Sequence, residues 1–75
     1  MAREKVTEII AEMVANVMTV DVVPGDEVEE GQTVVLLESM KMEIPVIAER
    51  AGRVTAVKVG PGDVVQEGDV LIVFG

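Results

Sequence analysis

The sequence predicts an all-β fold, a flattened barrel or sandwich with internal two-fold symmetry, and three observations carry that reading. Seventeen of the 75 residues are valine, whose β-branched side chain suits a pleated, half-buried surface. Residues 16–38 recur as residues 53–75 at an offset of 37, with nine identities in 23 positions. Each copy alternates apolar and polar residues and is punctuated by Pro-Gly (24–25, 61–62) and Glu-Gly (30–31, 67–68), the signals of short strands and tight turns. Two copies of one unit, each with an apolar face, bury those faces on one another.

Strands are expected at about 7–14, 17–23, 27–29, 33–38, 43–48, 53–59, 64–66 and 70–74, with boundaries good to a few residues. The first has a competitor. Val6, Ile9, Ile10, Met13, Val14 and Val17 follow the spacing of an amphipathic helix over residues 3–15, while Ile9, Ala11 and Met13 also alternate as a strand that closes an exposed sheet edge. The strand is preferred. Matched residues in the two copies are Val17/Val54, Val20/Val57, Val22/Val59, Pro24/Pro61, Gly25/Gly62, Asp26/Asp63, Val28/Val65, Glu30/Glu67 and Gly31/Gly68. Pro-Gly fits a type II turn, proline fixing φ and glycine accepting positive φ, with Asp26 and Asp63 placed to cap it. Calcium binding by these acidic turns is the rival reading, and no EF-hand spacing supports it.

Composition narrows the function. A chain of 75 residues reads as one domain, 1–75, with a thin core. Cysteine and histidine are both absent, which removes thiol nucleophiles, His-assisted triads and the usual zinc and copper sites. Autonomous catalysis is not expected. A net charge of −8 repels phosphate backbones and anionic headgroups, and Phe74 is the only aromatic residue, so nucleic acid and membrane surfaces are poor partners. No apolar stretch approaches the roughly 20 residues of a bilayer span, and a soluble, cytoplasmic monomer is expected.

Between the copies, joining them, lies Glu38-Ser39-Met40-Lys41-Met42-Glu43, flanked by the apolar runs 34–37 and 44–48. This reads as a hairpin with Lys41 at its tip. A two-residue turn puts Met40 and Lys41 at its centre, Ser39 opposite Met42 and Glu38 opposite Glu43. Such turns favour type I′, with positive φ at both central residues, and normally recruit Asn-Gly. Met-Lys is a costly choice, a local conflict better explained by recognition than by folding. An ordinary lysine is almost wholly protonated at neutral pH, so Lys41 is a substrate to be activated by a partner rather than a base.

The hexapeptide resembles the biotin-attachment motif of biotinyl domains, Glu-Ala-Met-Lys-Met often followed by Glu, with Ser39 in place of alanine. The resemblance runs from about residue 9 to 74, because the family also carries paired Gly-Asp-x-Val-x-x-Gly elements, here 25–31 and 62–68. It is greatest to small stand-alone biotinylated carrier proteins. The resemblance implies two four-stranded antiparallel sheets of the biotinyl/lipoyl type and biotin amide-linked to Lys41 by a biotin protein ligase. It further implies Met40 and Met42 as flanking recognition residues, Glu38, Ser39 and Glu43 as ligase contacts, and biotin carboxylase and carboxyltransferase subunits as partners. The thumb loop of some acetyl-CoA carboxylase carriers has no room between residues 20 and 34, and with no long Ala/Pro-rich linker before the domain a free-standing carrier is expected. Two alternatives remain: a lipoyl carrier, whose lysine typically has Asp and Ala neighbours, and an unmodified protein-interaction module.

Overall fold

The computed structural model describes residues 7–75. Eight strands follow in order: β1 (Thr7–Ile10), β2 (Ala15–Val20), β3 (Glu27–Val28), β4 (Thr33–Ser39), β5 (Met42–Ile47), β6 (Gly52–Val57), β7 (Val64–Val65) and β8 (Val70–Phe74). They form two four-stranded antiparallel sheets, β1-β8-β6-β3 and β5-β4-β2-β7, as the repeat and the resemblance predict. Adding 37 to every residue of the first half carries β1, β2, β3 and β4 onto β5, β6, β7 and β8. The two sheets are therefore copies of one another.

Hydrogen bonds show how deep the copying goes. Gly25 N–H donates to Val54 O (2.8 Å) and Val54 N–H to Asp26 O (2.8 Å); their mates are Gly62 to Val17 and Val17 to Asp63, both 2.8 Å. Each Pro-Gly-Asp turn thus clamps the long strand of the opposite half. β3 pairs with β6 and β7 with β2, so each sheet contains strands from both halves.

The turns use one device four times. The backbone closes an i to i+3 bond, as Asp26 N–H to Val23 O at 3.1 Å, and a side chain accepts in return. Asp26 takes Val23 N–H (3.0 Å), Asp63 takes Gly60 N–H (2.8 Å), Gln32 takes Glu29 N–H (3.0 Å) and Asp69 takes Gln66 N–H (2.8 Å). Gly25 and Gly62 sit at φ 100° and 93°, where an L side chain is strained. The expected Asp26 and Asp63 caps are present; the matching role of Gln32 and Asp69 was not anticipated.

The core lies between the sheets and is built from Val17, Val35, Val54, Leu71, Ile72 and their neighbours, all nearly fully buried. Val34-Val35 and Leu71-Ile72 are consecutive yet both inward, which strict alternation forbids. Bulges explain it: the register skips Val34 in β4 against β5 and Leu71 in β8 against β1, adding an inward residue at each. These bulges are again mates at an offset of 37.

β1 is a strand, with Ile10 half-exposed where a helix would have tucked it inward. It ends earlier than expected because Ala11 exchanges bonds with the 68–69 turn, donating to Asp69 O and accepting from Gly68 N–H, both 2.8 Å. The chain then bends at Glu12-Met13. Residues 3–6 of the competing helix lie outside the described residues. β1 and β5 are both outer strands, and they carry outward-blunting residues at mated positions, Glu8 and Pro45; charge and proline both discourage edge-to-edge pairing.

Candidate functional site

The β4–β5 hairpin carries the sequence-predicted residues at its tip. β4 lies between β2 and β5, so the strand leading to the tip is anchored on both sides. Pairing runs Leu37 with Ile44, Glu38 with Glu43 and Ser39 with Met42, leaving Met40 and Lys41 as a two-residue turn. Their φ values are 53° and 65°, and they are the only non-glycine residues at positive φ among those described. The predicted type I′ geometry is present, held by two residues that each disfavour it.

Exposure follows from this geometry. Met40 is 89% and Met42 61% exposed, and Lys41 is exposed between them. Methionine is an adaptable apolar side chain suited to docking, and both project outward rather than fill the core. Glu43 is exposed, while Glu38 and Ser39 are half-buried. Glu38 faces Glu43 on one side and Asn16 of β2 on the other. Like charges directly opposed on a sheet are unfavourable, and neither carboxylate forms an ion pair among the described residues. Lys41 has none there either.

All six sequence-predicted residues therefore gather at one hairpin tip. The described residues hold no cluster of His, Cys, Asp or Glu able to bind a metal ion, and no helix there is long and apolar enough to cross a membrane. A groove of about 800 Å³ runs between the outer strands β1 and β5 and is lined by mated pairs, among them Ile9/Val46, Ile10/Ile47 and Leu37/Phe74. It lies on the pseudo-two-fold axis and away from the Lys41 amine.

An offset of 37 carries β1 onto β5 and β4 onto β8, so the axis runs through the groove that their mated residues line.

Residues 5–74 match the biotin/lipoyl family, described as biotin-requiring enzyme. The chain belongs to the biotin/lipoyl family. Among its relatives, the biotinylated protein TB7.3 homolog of Mycolicibacterium smegmatis is 62% identical over 39 residues, 52% of this chain and 55% of that protein. The chain thus spans about half the length of the curated relatives it matches. Its fold is similar to part of a single-chain, multi-domain long-chain acyl-CoA carboxylase, with a TM-score of 0.87 and 36% identity over 97% of this chain and 8% of that one. It is also similar to the lipoyl domain of the 2-oxoglutarate dehydrogenase complex of Azotobacter vinelandii, with a TM-score of 0.73 and 27% identity over 83% of this chain and 78% of that one.

Proposed function

We propose that this biotin/lipoyl-family chain is a biotin carboxyl carrier in which Lys41 is the acceptor lysine. The observation that carries the reading is the tip itself, where an exposed lysine is fixed at φ 65° on a two-residue turn between two exposed methionines. That arrangement fits a covalent biotin: a single primary amine on a rigid hairpin, free of ion pairs among the described residues.

The chain's own residues present and orient. In its amine form Lys41 Nζ attacks the carboxyl carbon of a biotin that the ligase has activated as an acyl ester or anhydride. The C–N bond forms as the C–O bond to the activating group breaks; that group leaves with the oxygen, and the nitrogen gives up a proton. Met40 and Met42 offer apolar contacts to that enzyme, and Glu38, Ser39 and Glu43 set the charge and shape around the amine. Once attached, biotin carries a carboxyl group on its ureido ring. The partners are a biotin protein ligase and biotin carboxylase and carboxyltransferase subunits, met in the cytoplasm by a monomeric carrier that performs no catalysis itself. The fold of the carboxylase similar to it supports this assignment.

Intact mass after co-expression with a biotin ligase tests the proposal. One biotinyl addition, lost in Lys41→Arg, is the expected result. A lipoyl addition would transfer the chain to the second reading, which the likeness to a lipoyl domain keeps in view; the methionines on both sides of Lys41 favour biotin.

A further inference from the structure

The pseudo-two-fold symmetry supplies an internal control. The Lys41 end and the opposite end share strand pairing, bulges and turn bonds, so folding asks the same of both. Their surfaces nonetheless differ. At the far end Arg53 pairs with Glu27 at 2.8 Å, whereas the mated positions at the Lys41 end hold Asn16 and Val64, which face each other in register. Arg50 and Thr55 are likewise replaced by Met13 and Met18. Val14 and Val64 are 62% and 65% exposed, and Met13 is 41% exposed.

Exposed apolar residues that the fold requires should come in mated pairs, as Ile10 and Ile47 do. Met13, Met18 and Val64 do not, their mates being Arg50, Thr55 and Glu27, and all three belong to the Lys41 end, as does Val14, whose exposed mate is the smaller Ala51. Val23 is the exception, an exposed residue at the far end whose mate is Gly60. Asn16 and Val64 continue the cross-sheet row of Glu43 and Glu38, while Val14 precedes the strand bonded to β4. The apolar residues thus form an apron around the tip, rimmed by Glu12, Glu38, Glu43 and Asp63.

We propose, resting on the function above, that this apron on β2, β7 and the Met13-Val14 segment leading into β2 is a docking surface for the ligase that modifies Lys41. A bare lysine stem is only four carbons long, so the enzyme forming the amide must close on the hairpin and cover what lies beside it. Enzymes reached by the longer biotinyl-lysine arm need no such contact. The acidic rim calls for a ligase surface with an apolar centre and a basic border. A second copy of this chain is disfavoured as occupant, because each copy carries a net charge of −8.

The test exchanges residues between mated positions. Met13→Arg/Val64→Glu installs at the Lys41 end what the far end already accommodates, and Glu27→Val is the control at the far end. Steady-state biotin incorporation by a biotin ligase is measured with each full-length variant, beside its thermal transition. The double variant should raise KM about tenfold with kcat little changed, and Glu27→Val should match the parent. If the double variant loses its transition, Val14→Ser takes its place and should raise KM about threefold. An unchanged KM in a folded apron variant, with Lys41→Arg still abolishing incorporation, overturns the docking surface and leaves the carrier function standing. Failure of the parent chain to accept biotin overturns both.

Discussion

Glu38 and Glu43 stand directly opposite one another across the hairpin that presents Lys41. No basic side chain pairs with either among the described residues, so the sheet tolerates a like-charge contact beside the proposed acceptor lysine. Glu43→Gln should therefore stabilise the protein by a few tenths of a kcal/mol while slowing biotin incorporation. Thermal unfolding and initial rates, measured on the same preparation, check both signs; a loss of stability would contradict the repulsion argument.

Strain at the tip has the same character. Met40 at φ 53° occupies a position that asparagine or glycine fills at lower cost. Met40→Asn should raise stability by about 0.5–1 kcal/mol and lower the rate of modification. Denaturant unfolding that moved to a lower midpoint would show that Met40 contributes packing instead.

Gly25 and Gly62 have no atom within 4 Å of a Cβ built on them, so alanine there meets no steric clash and its cost is conformational. Gly25→Ala and Gly62→Ala should each destabilise by about 1–2 kcal/mol, in similar amounts because the sites are mates. In a synthetic chain, D-alanine at either position should be neutral or stabilising. Equal costs for both enantiomers would refute this account.

Leu71 is completely buried at a bulge of β8. Leu71→Ala removes packing on both sides of the core and should cost about 2–4 kcal/mol, a large share of the stability of so small a domain. Calorimetry should show a transition lowered by ten degrees or more.

Much of this was legible because the controlling signals were local. Pro24-Gly25 and Pro61-Gly62 announce their turns, and Met40-Lys41 announced its positive φ by the spacing of Glu38 and Glu43 around it. The bulges at Val34 and Leu71 were not legible, since an apolar run reads alike whether or not register slips within it. β1 ended early because Ala11 bonds a turn nearly sixty residues away, a contact no local pattern encodes. The acceptor roles of Gln32 and Asp69 could have been found: each stands one residue after a Glu-Gly pair, as Asp26 and Asp63 each follow a Pro-Gly pair. Broken symmetry at Val64 and Asn16 needed the strand register before its place beside the tip had meaning.

The crosswise pairing of the halves also fixes when the protein can exist at all. β8 lies between β1 and β6, so the last of these eight strands to be synthesised is an inner strand of its sheet, and β1 lacks this partner until Phe74 has emerged. Neither half can mature ahead of the other. The Lys41 hairpin leaves the ribosome well before that moment, attached to a chain whose scaffold is incomplete. A ligase that reads the finished scaffold would pass over truncated or nascent chains, so a biotin tag on Lys41 would certify a completed fold.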